Sequence, residues 1–224
     1  MPMAPSGLLK FHLVDDALLV LDKPAGLLCV PGRGEGKQDC LSARVQAQYP
    51  DALIVHRLDM ATSGLLLMAR GPAAQRVLSL AFAGRRVHKQ YTAVVHGLVA
   101  DPPDAADTPP GRGLIDLPIA ADWPRRPLRI IDAALGKPSQ TRWRIESRDS
   151  VAGTTRVLLE PLTGRTHQLR VHLQAIGHPI VGDALYGTDE PPAQSGRLHL
   201  HASALAFAHP VTGEPLHFTS TATF

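Results

Sequence analysis

The segment Val55-His56-Arg57-Leu58-Asp59-Met60-Ala61-Thr62-Ser63-Gly64 places a His, an Arg, an Asp, a Thr and a Ser between two apolar runs, Ala52 to Val55 and Leu65 to Ala69. That is more polar chemistry than a turn needs merely to reverse the chain. A carboxylate held between buried strands, with a cation two residues away, suits a nucleophile or an acid/base group. Thr62 and Ser63 can orient such a carboxylate or cap the turn through their hydroxyls. Gly64 permits a close backbone approach. Ser63 itself is a poor hydrolase nucleophile, because Ala-Thr-Ser-Gly does not match the Gly-x-Ser-x-Gly elbow. On sequence spacing alone, Arg57 is the nearest salt-bridge partner for Asp59.

A second constellation is Gly164-Arg165-Thr166-His167-Gln168-Leu169-Arg170-Val171-His172. It follows a strand-like run and opens a helical pattern, so Thr166 is expected to cap a helix over 166–176 with Leu169, His172, Leu173 and Ile176 on one face. Arg165, in the turn, is placed to reach a carboxylate. A third group is Lys89-Gln90-Tyr91, on a β-prone stretch after Arg85 and Arg86.

The elements that must position these groups are mostly strands. Asp16 to Asp22, around Ala-Leu-Leu-Val-Leu, reads as a strand that ends at Lys23-Pro24, where proline stops ladder donation. Pro31 to Gly36 is a glycine-rich loop; it lacks the Gly-Lys-Ser/Thr ending of a phosphate loop. Asp39 is a candidate cap for a helix over Cys40 to Gln48. Strands are expected at 53–55, 65–69, 87–97, 139–147, 154–162 and 198–208, and a helix from Pro72 to Gly84. The stretch 99–113 holds four prolines and no periodicity, so it reads as a loop excursion. Few strands lie in β-helix-β alternation. The expected fold is α+β, one domain over 1–224, with a large mixed, mainly antiparallel β-sheet flanked by helices and loops.

Composition narrows the function classes. Hydrophobic residues make up 44% of 224, enough for a full core, while aromatics are only 4%, so Leu, Val and Ala must build it. No apolar stretch approaches the roughly 20 residues of a membrane-spanning helix, and the N-terminus lacks the pattern of a signal peptide. A cytoplasmic protein with free Cys29 and Cys40 is expected. No Cys-x-x-Cys or His-Glu-x-x-His occurs, and His167 and His172 are poorly spaced as helix ligands; His199 and His201 share a strand face. No metal and no cofactor is expected. The net charge is +3, with basic residues gathered at Arg85 to Lys89 and from Arg125 to Arg148, and acids at Asp101 to Asp107. Such separation suits a phosphate-bearing partner.

His-Arg-Leu-Asp-x-x-Thr-Ser-Gly at 56–64 and Gly-Arg-Thr-His-Gln-Leu-Arg at 164–170 resemble the second and third motifs of the RluA-type RNA pseudouridine synthases. Lys23-Pro24-Ala25-Gly26-Leu27 is similar to that family's first motif, and Lys89-Gln90-Tyr91 to its Lys-x-Tyr element. Asp122-Trp123-Pro124-Arg125-Arg126-Pro127, Gly136-Lys137-Pro138, Val181-Gly182-Asp183 and Tyr186 resemble its short branch, so the likeness covers nearly the whole chain. Ala25 and Cys29 stand where serines are expected, and 99–113 is lengthened. The resemblance leaves no room for an N-terminal S4-type RNA-binding domain.

The resemblance implies an isomerase that flips a uridine out of a stem-loop of tRNA, 23S ribosomal RNA or both, and acts as a monomer. It implies Asp59 as the catalytic carboxylate, Arg165 as its pairing arginine and Tyr91 as the ring beside the base. Arg57, freed from pairing with Asp59, is expected to fill the gap left by the flipped base. RNA contacts are expected from His56, Arg57, Thr62, Lys89, Leu169 and Arg170, and from Arg125 and Arg126. The first motif is expected to brace the loop that holds Asp59. Two other classes stay open at this point: a catalytically silent RNA-binding protein of the same fold, and a hydrolase using Asp59.

Overall fold

The computed structural model describes residues 9–32, 34, 36–102, 110–187 and 196–224. Part of the expected excursion, 103–109, and positions 33 and 35 of the glycine-rich loop lie outside the described residues. In chain order the elements are β1 (Lys10–Val14), β2 (Leu18–Lys23), α1 (Leu41–Gln46), β3 (Ala52–Ile54), β4 (Ser63–Arg70), α2 (Gly71–Ala83) and β5 (His88–His96). They continue with β6 (Gly113–Asp116), β7 (Ile119–Ala121), β8 (Arg129–Ile131), β9 (Gln140–Asp149), β10 (Thr154–Pro161), α3 (Gln168–Ala175), β11 (Leu200–Ala208) and β12 (Pro215–Thr219). Strands dominate, as an α+β fold with a mixed sheet requires.

Two compact units form, one from the chain up to Lys89 with His201–Thr223, the other from Gln90–Leu200 with Phe224. In the first, β2 lies antiparallel between β1 and β4. β3 pairs antiparallel with β4, β12 pairs antiparallel with β11, and β4 runs parallel to the start of β11. β2 and β4 show no in-out alternation, because both faces are covered: Leu18, Leu19, Val20, Leu21, Leu66, Leu67 and Met68 are fully buried. Each such side chain contributes about 1.5–3 kcal/mol by leaving water. α2 begins with Pro72 in its first turn, ends at Gly84 and buries Ala74 and Leu78, four residues apart on one face.

In the second unit, β10 pairs antiparallel with β5 and β9, and β6 pairs with β9. Here β10 alternates cleanly between buried and half-buried positions. β7 and β8 form a separate antiparallel ribbon. Ile119, Leu128 and Ile131 of that ribbon pack with Val171 and Tyr186.

Two capping expectations are corrected. Asp39 does not cap α1; its carboxylate takes Arg44 Nε and Nη2, both at 2.7 Å, and Cys40 at the cap position makes no side-chain cap bond. Thr166 does not cap α3 either. That helix starts at Gln168, and His167 stands before it in the left-handed region, φ 56°. The one-faced reading of α3 also fails, since every residue from Gln168 to Leu173 is buried.

Candidate active site

The loop carrying Asp59 is fastened on both sides of the carboxylate. Lys23, only 1% exposed, ends β2 and turns its ammonium onto carbonyls: Pro24 at 2.7 Å, Leu27 at 2.8 Å and Met60 at 3.0 Å. The Gly26 amide donates to the same Met60 carbonyl at 2.8 Å. Cys29, where a serine was expected, engages Leu58 twice: its Sγ donates to the Leu58 carbonyl at 3.2 Å and accepts from the Leu58 amide at 3.3 Å. Burial pushes the Cys29 thiol up, keeping it protonated and able to donate. The residues before and after Asp59 are thereby tied to the first motif, which is the bracing expected from it. The Thr62 amide closes the turn onto the Asp59 carbonyl at 3.1 Å.

The motif's other polar residues divide between surface and interior. Arg57 is exposed and Asp59 half-buried, whereas Thr62 is 2% exposed. His56 stacks on Phe82 with centroids 4.4 Å apart, and its Nε2 accepts the Leu67 amide at 3.0 Å. Loss of solvation, then the Lys89 charge, pushes its pKa down to about 3. His56 is therefore a neutral acceptor that pins the loop's start to β4, a different role from the RNA contact expected of it. Lys89, half-buried on β5, is itself pushed down by burial.

Gly64 shows why the motif ends in glycine. Its φ is +107°, and a Cβ there would stand 2.4 Å from the Ala202 carbonyl oxygen. Only glycine lets β4 start this close to β11.

In the second unit Tyr91 lies half-buried on β5, opposite Leu159 of β10. Arg165 is exposed, with Nε and Nη2 both 3.4 Å from the Pro138 carbonyl. Its loop is shaped by Gln168, a residue the sequence reading passed over. The Gln168 Oε1 accepts from Thr163 Oγ1 at 2.7 Å and from the Arg165 amide at 3.0 Å. Its Nε2 donates to the Gln140 carbonyl at 2.9 Å and to Thr141 Oγ1 at 3.0 Å. The Thr141 hydroxyl then donates to His172 Nδ1 at 2.9 Å, since His172 Nε2 donates to the Leu117 carbonyl at 3.0 Å. Burial pushes His172 down, consistent with this neutral tautomer.

Arg170 is corrected from RNA contact to internal pairing. It is 4% exposed, and its Nε and Nη2 grip Asp183 at 2.7 and 2.5 Å. Asp183 also accepts the Leu185 and Tyr186 amides at 2.9 and 3.1 Å. Tyr186 hydrogen-bonds His167 Nδ1 at 2.8 Å and accepts the Arg129 amide at 2.8 Å. A buried guanidinium committed in this way has no face to offer a phosphate. Leu169, 7% exposed, is likewise a core residue.

Arg125 and Arg126 lie on the exposed connection between β7 and β8. Arg126 stacks 3.7 Å over the Trp123 ring, itself 67% exposed, and Arg125 Nε bonds Asp122 at 2.7 Å. An exposed cation beside an aromatic ring is chemistry that can stack a base and meet a phosphate. Among the described residues no group of three His, Cys, Asp or Glu is gathered as metal ligands, and no helix is long and apolar enough to cross a membrane.

Comparison with known proteins agrees with this geometry. The family model for RNA pseudouridylate synthase matches residues 17–175. Dual-specificity RNA pseudouridine synthase RluA of Yersinia pestis is 46% identical over 210 residues, 94% of this chain and 97% of that protein. The protein of the same name from Escherichia coli K12 is 45% identical, over 94% of this chain and 91% of its own length. Among solved structures, human RNA pseudouridylate synthase domain containing 1 superposes with a TM-score of 0.78 at 30% identity, covering 99% of this chain and 87% of that one. A buried brace beneath the Asp59 loop, set within a match that spans most of the sequence, leads to one conclusion: the chain belongs to the RNA pseudouridylate synthase family, in its RluA-type branch, and is an isomerase.

Proposed function

We propose that this enzyme converts uridine to pseudouridine in stem-loops of both tRNA and 23S ribosomal RNA, with Asp59 as the reacting carboxylate. The observation that carries the assignment of Asp59 is the fastening of its loop: Leu58 and Met60 are both tied to the first motif, while the carboxylate between them stays half-buried. That is the arrangement expected of a reacting group that must be rigid and reachable. Substrate choice is supported by the dual-specificity relatives, which the chain matches over 94% of its length.

The target uridine leaves its stack before reaction. The bond between N1 and C1′ breaks as Asp59 attacks C1′ or assists departure of uracil. The base turns while held, C5 bonds to C1′, C5 loses its proton and N1 takes one up. The net change is an isomerisation, with no atom gained. Arg165 directs the Asp59 carboxylate, and Tyr91 faces the base and accepts or relays the C5 proton. Arg57, exposed beside Asp59, enters the gap in the stem-loop, and Trp123 with Arg125 and Arg126 holds the flanking strand. The enzyme acts as a cytoplasmic monomer.

The test is pseudouridine mapping of total RNA from a strain lacking the gene, with and without complementation. Loss and recovery at one tRNA position and one 23S position is the expected result. Loss in only one RNA class would remove dual specificity. No loss, with RNA binding intact, would instead favour a silent binding protein.

A further inference from the structure

We infer that His201 is a positioning residue for the reaction, acting through Ser63. His201 is 7% exposed at the start of β11, and Ser63, the first residue of β4, is 6% exposed. His201 Nδ1 lies 2.8 Å from Ser63 Oγ, a link across 138 residues of chain. Its Nε2 lies 3.0 Å from Ser220 Oγ, just beyond β12, and Ser220 is anchored by its amide on the Ser203 carbonyl at 2.9 Å. One imidazole thus joins three segments, donating through one nitrogen and accepting through the other.

The place of this link gives it its role. β4 and β11 pair in parallel over only His201↔Ser63 and Ala202↔Gly64. Ser63 directly follows the turn in which the Thr62 amide closes on the Asp59 carbonyl. The first motif fastens the Asp59 loop from below through Lys23 and Cys29. The Ser63–His201 bond fastens its exit at the residue that the antiparallel ladder to β2, which ends at Lys23↔Gly64, does not reach. Losing it lets the carboxylate wander, and a displacement of about 1 Å costs on the order of a hundredfold in rate.

The two ring nitrogens can be tested separately. An asparagine amide sits where Nδ1 lies and can keep the Ser63 bond; a glutamine amide reaches the Nε2 position and keeps the Ser220 bond. With saturating enzyme and a stem-loop RNA labelled at uridine C5, single-turnover tritium release is measured beside RNA affinity and the melting temperature of each variant. Ser63→Ala and His201→Gln are expected to lower the single-turnover rate by about tenfold or more, with RNA affinity within about twofold. His201→Asn is expected to recover the rate to within about threefold of wild type. The inference is overturned if Ser63→Ala and His201→Gln react at the wild-type rate and only melt earlier, or if His201→Asn and His201→Gln are equally slow. It rests on Asp59 being the reacting carboxylate, and Asp59→Asn in the same assay separates the two: activity there overturns that assignment, whereas a fast His201→Gln beside a dead Asp59→Asn overturns only the present inference.

Discussion

Replacing Asp183 by asparagine isolates a buried charge whose cost can be worked from its surroundings. The Arg170 side chain is 5% exposed and that of Asp183 0%, with two bonds between them at 2.7 and 2.5 Å. An amide at Asp183 turns one acceptor into a donor facing a guanidinium donor, and leaves the positive charge without its counter-ion. Breaking a buried pair from one side costs about 3–5 kcal/mol. In a chain of this size each kcal/mol shifts the melting temperature by about 2–4 °C, so calorimetry should show a fall of about 6–20 °C. The double variant Arg170→Met/Asp183→Leu removes both charges and strands the buried Tyr186 amide, a cost of about 1–3 kcal/mol, while the amide of Leu185, an exposed residue, can turn to water. It should therefore melt above Asp183→Asn. Melting of Asp183→Asn within about 2 °C of wild type, or a double variant less stable than the single one, would refute this account of the pair. Arg170→Met also tests the correction made for α3. The salt dependence of RNA affinity should keep its slope, because a phosphate contact would lower it by about one unit.

Lys23→Met keeps the volume but strands the Pro24 and Leu27 carbonyls and leaves Met60 with the Gly26 amide alone; a loss of about 2–4 kcal/mol is expected by chemical denaturation, with the single-turnover rate falling more than RNA affinity. Gly64→Ala forces a Cβ to 2.4 Å from the Ala202 oxygen at a positive φ, and should destabilise by about 3 kcal/mol or more, read as a lower denaturation midpoint. His56 is held neutral with its pKa near 3, below that of the unfolded chain. Its contribution is thus whole above about pH 6.5 and is lost as pH falls toward 3, because the unfolded state binds the proton first. Melting curves between pH 4 and pH 8 should fall less steeply on the acid side for His56→Gln, whose amide oxygen can still accept the Leu67 amide; identical profiles would show that His56 is not the titrating group.

How much of this was legible in the sequence depends on how far each signal reaches along the chain. The buried strands β2 and β4 stood out as unbroken Leu-rich runs, and α2 carried its own proline start and glycine stop. The loop at 55–64 stood out because polar side chains interrupted two such runs. The three-residue strands β7 and β8 were not legible, since so short a segment has no period. α3 misled for a physical reason: from Gln168 to Leu173 every side chain is buried, so Gln168, Arg170 and His172 are buried partners and not a solvent face. Arg170 reads as a surface cation until Asp183, thirteen residues on, is seen beneath it. The supports of the site were the least visible. Lys23 works on main-chain carbonyls, which leave no mark in sequence, and Ser63 meets His201 across most of the chain. Gln168 stood inside a motif that had already been noticed, but its partners Thr163, Gln140 and Thr141 become evident only when β9 and β10 lie side by side.

The central claim is that Asp59 starts the isomerisation, and Asp59→Asn tests it most directly. The variant and the wild-type enzyme are mixed in excess with stem-loop RNA carrying tritium at uridine C5, and release of tritium to water is followed beside RNA affinity. The account predicts no release above background from the variant, with affinity within about threefold of wild type, since the change removes a reacting charge and leaves the brace from Lys23 and Cys29 in place. Release at the wild-type rate by Asp59→Asn would contradict it.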